Sequence, residues 1–511
     1  MKNLARRDFL KLMASIPSVI AFSKLSAFLE ASTQNSASPH IIVIVLDALS
    51  AHNMSLYGYP RKTTPNIERF ASRANVYHSH HSAGTYTTPG TASLLTGTYP
   101  WTHRAINIKG AIAHDKYKRN LFHLLKSHYN RIAFTQNHFV SYLLSQFNED
   151  IEKYLPVKSF SRLGLLAYDE MQKDHLYKFR AYNGFLNVAT TDDTPGALLL
   201  GLFNKFRKEI SFQKVIEDDL QFYNLDLIFD INDVFSGIAS EAIDLKLPSF
   251  CYFHLYPPHD PYMPQRKFRN LFNDQWKPDP KPTHPLLEDG MYPSYSESAL
   301  NEKRQKYDQF IATTDAAFGI FLDEIEKSGL LENSYVILTS DHGESFERGY
   351  WAHAGPFAYE PGIRVPLIIS TPSQTVRNDF HSVTNSVDLL PTLLNISGLE
   401  IPTWSEGKPL PGFGGEPDNS RFTFSMDAKG ASAFGDLSPI TIAMYQDDYK
   451  IIYYKGYGKE NSPYKEGLFE LYNLKEDPEE LHDLTNTEPV IAKKMQELLL
   501  EAYNKANQYN P

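Results

Sequence analysis

Short, unbroken apolar runs recur along this chain, and the stretches between them carry apolar residues at helical spacing. Ile41-Ile-Val-Ile-Val-Leu46 is β-branched almost throughout and ends at a carboxylate, Asp47. An uninterrupted run of this kind marks a strand covered on both faces, as parallel strands are. Arg131–Thr135, Ser249–Tyr256, Tyr335–Thr339 and Val365–Ile369 read the same way, the last near a sheet edge because Pro366 removes a ladder donor. Between the runs the period changes. Thr64-Pro-Asn66 starts a helix with Ile67, Phe70 and Ala71 inward, and residues 301–327 put Tyr307, Ile311, Phe318, Leu322 and Ile325 on one stripe, ended by Gly329. Residues 387–394 read as a third helix. The alternation predicts an α/β fold, a large mixed and mostly parallel sheet sandwiched by helices.

Composition shifts at Pro402–Gly415, rich in Pro and Gly, and a small C-terminal α+β subdomain is expected over 401–511. It holds short alternating strands at 441–444, 449–454 and 468–472 and a closing helix near 490–505. The catalytic α/β domain is expected over 36–400, with a polar, helix-rich insertion at about 139–245 that shapes a substrate cleft.

The stretch from Ser82 to Gly97 carries the candidate nucleophile. Thr88 suits an N-cap and Pro89 a first helical position, which puts Thr87 just ahead of a helix N-terminus. Free backbone N–H groups there favour an anion, and a hydroxyl so placed can attack phosphorus or sulfur. In an open α/β sheet, ligands bind beyond the carboxyl ends of the strands. Asp47 and Asp341 both follow apolar runs, so parallel strands bring both carboxylates to one edge. With His342 and the Thr87 oxygen they make a hard O/N ligand set for one divalent metal ion.

The net charge of −10, with no cluster of Lys and Arg, argues against nucleic acid as a partner. The single cysteine, Cys251, cannot close an internal disulfide and reads as a buried, inert thiol. Near the N-terminus, Ala5-Arg-Arg-Asp-Phe-Leu-Lys11 precedes a modest apolar run. Residues 1–35 therefore read as a twin-arginine-type export signal and linker, which makes the export machinery a partner and the periplasm or another extracytoplasmic space the destination. Pro17 and the shortness of the run argue against a membrane anchor.

In this order the motifs resemble the sulfatase family of the alkaline phosphatase superfamily over most of the chain. Thr87-Thr-Pro-Gly-Thr-Ala-Ser-Leu-Leu-Thr-Gly97 is similar to the family's nucleophile signature, and the strand ending in Asp47 to its first metal-binding segment. Ser340-Asp-His-Gly-Glu344, Ile363–Ile369 and Phe253–Tyr262 are close matches, and 449–453 with 470–478 resemble the small terminal domain. The resemblance implies the fold of that superfamily and ester hydrolysis at a metal centre. Trp351-Ala-His-Ala-Gly355 matches a family segment that carries a Lys or His on the leaving-group side, and either His353 or His259 is expected to protonate the leaving alcohol, with a structural hydrogen-bonding role as the alternative for each.

Three departures bear on the chemistry. Family sulfatases oxidise a Cys or Ser to formylglycine, whereas Thr87 would give a ketone that hydrates poorly. Thr91 replaces the signature arginine, and Ala48 replaces the second acid of the usual Asp-Asp pair. Threonine is the nucleophile in superfamily branches that handle phosphate diesters. The leading expectation is therefore an exported hydrolase of phosphate mono- or diesters, working through a phospho-threonine on a small-molecule, glycan or lipid-headgroup ester. The alternatives are a sulfatase working with plain Thr87 and a non-catalytic binding protein on the same fold. Arg364 reads as a structural ion-pair partner, His103 as a residue behind the site, and His78, His80 and His81 as a solvated loop.

Overall fold

In the computed structural model, the described residues are 38–163, 221–224, 227–246, 248–288, 290–353 and 355–507. Twelve strands and eight helices matter here. Eight strands form the main sheet: β1 (His40–Leu46), β2 (Asn75–Tyr77), β3 (Asn130–Thr135), β4 (Lys153–Leu155), β5 (Ser249–Leu255), β6 (Ser334–Thr339), β7 (Leu367–Ser370) and β8 (Asn378–Phe380). Their order is β8-β2-β7-β6-β1-β5-β3-β4. β1 lies at the centre, parallel to both β6 and β5, and β7 alone runs against its neighbours. β7 is thus internal rather than near an edge. Pro366 precedes the strand instead of lying in it, so its missing N–H costs the ladder nothing, and its carbonyl accepts from Thr339 Oγ1.

Alternation along β1 explains why the run is apolar throughout. Ile42, Ile44 and Leu46 face one helical layer, α1 (Pro65–Ala71), α4 (Ile231–Ile243) and α5 (Glu297–Lys327). Ile41, Val43 and Val45 face the other, α2 (Thr87–Thr96), α3 (His138–Ser145) and α7 (Leu389–Ile396). Every residue from Ile41 to Leu46 is fully buried, which at about 25 cal/mol per Å² makes this strand a main source of hydrophobic stabilisation. Between the two layers' last helices comes α6 (Glu360–Ile363), a single turn. Cys251 is buried in the first layer, and burial pushes its thiol far up.

Strands β9 (Thr423–Asp427), β10 (Ile440–Gln446), β11 (Tyr449–Lys455) and β12 (Leu468–Asn473) form an antiparallel sheet, covered on one face by α8 (Pro489–Ala506). Of segment 139–245, α3, β4 and α4 contribute to the main layers, and residues 164–220 lie outside the described residues. The export segment, 1–35, also lies outside them. Among the described residues no helix is long and apolar enough to cross a membrane.

Candidate active site

The register Val45↔Thr339 makes β1 and β6 end level, so Asp47 and Asp341 leave the same edge of the sheet. Both are fully buried, and their oxygens lie with a His342 nitrogen within 4.8 Å of one another. His342 Nε2 is 3.4 Å from Asp47 Oδ1 and 3.6 Å from Asp341 Oδ2. Those same two oxygens are buried with no hydrogen-bond partner. A buried carboxylate oxygen left without a hydrogen bond or a coordinated cation is costly. Asp47, Asp341 and His342 could together hold a divalent cation, which would satisfy both oxygens, and with the Thr87 hydroxyl beside them the donor set fits a hard ion. Ala48 follows in the left-handed region at φ 61°, which turns its N–H onto Asp341 Oδ1 at 3.3 Å. Its carbonyl accepts from Tyr307 Oη at 2.5 Å.

Thr87 is the first residue of α2, with Tyr86 as the N-cap, so the helix starts earlier than its sequence suggests. Thr88 does not cap it. Its hydroxyl donates instead to the Ile108 carbonyl at 2.7 Å. Thr87 Oγ1 lies 3.3 Å from His342 Nε2, at the positive end of a fully buried helix. Gly90 allows this approach, since a Cβ there would meet the Asp341 carbonyl oxygen at 2.1 Å.

The electrostatics follow from crowding. Burial opposes charge on Asp47, but His259, His254 and His342 outweigh it and hold this carboxyl well below its usual range. Burial and the Asp47 charge push Asp341 up. Burial lowers His342, yet the two carboxylates overcome it and raise the imidazole to about 9. His342 Nδ1 donates to the Gly343 carbonyl at 2.8 Å, which leaves Nε2 facing the carboxylates and Thr87. A cation bound there would compete with the Nε2 proton.

Two polar neighbours escaped the sequence reading. His254, on β5, points Nε2 to within 3.4 Å of Asp47 Oδ2 and 3.7 Å of Asp341 Oδ2. Asn137 donates from Nδ2 to Asp47 Oδ2 at 2.6 Å and caps α3 with Oδ1, accepting from Phe139 at 2.8 Å. The break in apolar alternation at His254, level with Val45, was the available signal.

His259 and His353 both join the cluster, on its partly exposed side. The His353 ring lies 4.2 Å from that of His342 and 4.8 Å from that of His259. His353 Nδ1 sits 2.9 Å from Glu344 Oε1. Burial outweighs that carboxylate and brings His353 down to about 4, so it is neutral at pH 7. Tyr256 Oη is 2.7 Å from His259 Nδ1. A cavity of about 440 Å³, lined by Tyr59, Trp276, Lys281, Arg304 and Glu347, shares Glu344 with the cluster.

Other histidines lie elsewhere. His103 accepts from the Ala105 N–H at Nδ1, 3.0 Å, and so donates from Nε2 to Ser93 Oγ at 3.0 Å, bracing α2. His80 and His81 are buried rather than solvated, and His81 pairs at 3.0 Å with Glu360, a carboxylate far off in sequence. Arg364 donates to the His78 carbonyl at 3.0 Å, a backbone partner in place of the expected carboxylate.

The described geometry matches known proteins. The family model "Sulfatase" fits residues 39–399, and the chain belongs to the sulfatase family. A second model, the C-terminal part of N-sulphoglucosamine sulphohydrolase, fits residues 347–506. An ulvan-active sulfatase of Formosa agariphila is 25% identical over 77% of this chain and 69% of its own. An arylsulfatase of Clostridium perfringens is 21% identical over 88% of this chain and 91% of its own. The crystal structure of a phosphonate monoester hydrolase of Agrobacterium radiobacter superposes with a TM-score of 0.66 at 17% identity, covering 92% of this chain and 96% of that one. The protein is thus a sulfatase-family ester hydrolase with the mixed α/β fold of that superfamily.

Proposed function

We propose that the protein is a divalent-metal-dependent hydrolase of phosphate mono- or diesters that uses unmodified Thr87 as its nucleophile. One observation carries the reading: the Thr87 hydroxyl, which cannot become an aldehyde, lies 3.3 Å from His342 Nε2 beside two unbonded carboxylate oxygens. Asp47, Asp341 and His342, together with the Thr87 oxygen, would hold the ion. When bound, it lowers the pKa of the hydroxyl and polarises a non-bridging substrate oxygen. Thr87 loses its proton to solvent and attacks phosphorus in line. The Oγ–P bond forms as the bond to the leaving oxygen breaks, and His259 protonates that oxygen. His353, neutral and oriented by Glu344, then takes the proton of the attacking water as the Oγ–P bond breaks, solvent returns a proton to the Thr87 oxygen, and the proton on His353 passes to its neighbour His259 to reset the pair. Residues 1–35 export the enzyme to the periplasm, 401–511 form its C-terminal subdomain, and the segment at about 139–245 selects a small-molecule, glycan or lipid-headgroup ester.

The sulfatases among the relatives favour a second reading, hydrolysis of sulfate esters by the same hydroxyl. A sulfo-threonine lacks the easy exit of a hydrated aldehyde, which ranks this reading lower. A panel of nitrophenyl phosphate, bis-nitrophenyl phosphate, nitrophenyl phenylphosphonate and nitrophenyl sulfate, run with Ca, Mn, Mg and Zn, separates the readings. Turnover of the phosphorus esters is expected; turnover of sulfate alone overturns the proposal, and no turnover with intact metal binding leaves only a binding protein.

A further inference from the structure

The four-residue helix α6 (Glu360–Ile363) touches all three segments that carry the cluster. Its Pro361 carbonyl accepts from Ser50 Oγ at 2.8 Å and from the Glu344 N–H at 3.0 Å. The Gly362 carbonyl accepts from Gly343 at 2.8 Å, and the Ile363 carbonyl accepts from Ser82 at 2.8 Å. The carbonyl of Arg364, just beyond the helix, accepts from Ala51 at 3.0 Å. Ser50 and Ala51 follow Asp47, Gly343 and Glu344 follow His342, and Ser82 leads into the helix of Thr87. The fit is close: a Cβ at Gly343 would meet the Pro361 carbonyl oxygen at 2.2 Å. One turn of helix therefore fixes the spacing of the ligands.

Nothing within so short a helix can hold it rigid, because four residues make hardly one internal bond. Its anchor is Glu360, 6% exposed, and most partners of that side chain come from the C-terminal sheet. Lys450 Nζ on β11 bonds Glu360 Oε1 at 3.0 Å, Tyr445 Oη on β10 donates to the same oxygen at 2.9 Å, and His81 holds Oε2. The Glu360 N–H donates to Glu480 Oε2 at 2.9 Å, and Lys450 Nζ forms an ion pair with Glu480 Oε1 at 2.6 Å. Lys450 is fully buried, and its ammonium pairs with both of these buried carboxylates. Removing it would take from both carboxylates the ammonium they share in a dry interior, which is strongly destabilising to their arrangement.

We infer that Lys450, with Glu360 and Glu480, is a positioning residue for the metal centre: the C-terminal sheet sets the ligand geometry through α6 without touching the ion. The inference rests on the proposed metal site but not on which ester is cleaved. The full-length protein is titrated with Mn2+ alone by calorimetry, at a temperature well below the melt of each variant. Lys450→Met is expected to weaken Mn2+ binding at least about tenfold, the lower range for partners behind metal ligands. Lys450→Arg is expected to restore most of that affinity. Arg131→Met, which removes another buried cation at the far end of β3, is expected to lower the melting temperature and leave the Mn2+ affinity unchanged. Where Lys450→Met does not fold, Glu480→Gln, which keeps Lys450 and its bond to Glu360, is read in its place, with the same direction expected. A folded Lys450→Met or Glu480→Gln protein that binds Mn2+ as the wild type does overturns the inference. A wild-type protein that binds no divalent ion overturns the proposed function as well.

Discussion

Asn137 caps a helix and also holds a carboxylate of the proposed metal site, and the two roles can be pulled apart. Its Oδ1 caps α3 and its Nδ2 donates to the charged Asp47 Oδ2 at 2.6 Å, all of it 2% exposed. The cap is worth about 1 kcal/mol against Ala. The hydrogen bond to a charged acceptor adds about 1.5–3 kcal/mol. Asn137→Ala should therefore destabilise the protein by about 2.5–4 kcal/mol, the sum of the two. Asn137→Ser keeps a capping oxygen but cannot reach Asp47, so it should cost only about 1.5–3 kcal/mol. Both variants lose the group that orients Asp47, and both should weaken metal binding by about 10–100-fold. Denaturant melts in chelator isolate the stability effect, since bound metal would stabilise the native state by mass action. Calorimetric titration gives the affinity. A Ser variant with wild-type metal affinity would refute the role assigned to the Asp47 bond, and equal stability of the two variants would refute the cap.

Three further outcomes are expected. Thr87→Ala should lose activity on every phosphorus ester yet keep most of its metal affinity, since three ligands remain; chelator competition and a nitrophenyl assay check both halves. Gly90→Ala should cost about 1–3 kcal/mol or more, because its Cβ must push α2 off the Asp341 carbonyl, and activity should fall with it. His342, raised to about 9 from 6.5, should release close to one proton on metal binding at pH 7.5, visible as a buffer-dependent calorimetric enthalpy. Its folded pKa is the higher one, so its contribution to the stability of the metal-stripped protein is complete below pH 6.5 and lost as pH rises through 9, about 3 kcal/mol in all.

Much of this was legible because apolar runs on both faces of a sheet leave a strong trace. Ile41–Leu46 and Tyr335–Thr339 marked β1 and β6, and their ends marked Asp47 and Asp341, which the fold brings together with His342 and Thr87. What escaped depends on pairing across long separations. Glu360 meets His81 and Lys450 only after the C-terminal sheet is in place, so His80 and His81 looked solvated. Pro366 looked like an edge signal because sequence does not reveal that the strand begins one residue later. β9 was missed because Thr423–Asp427 is short and mixes polar with apolar residues, its place being set by backbone pairing with β10 and with Gly84. Asn137 resembled an ordinary cap, which it also is.

The most direct test is to quench the enzyme in acid during turnover of a nitrophenyl phosphorus ester and map the labelled peptide by mass spectrometry. A phosphoryl group on Thr87, absent from Thr87→Ala, is the expected result. Phosphorylation of a different residue, or a Thr87→Ala protein that turns over at the wild-type rate, would contradict it.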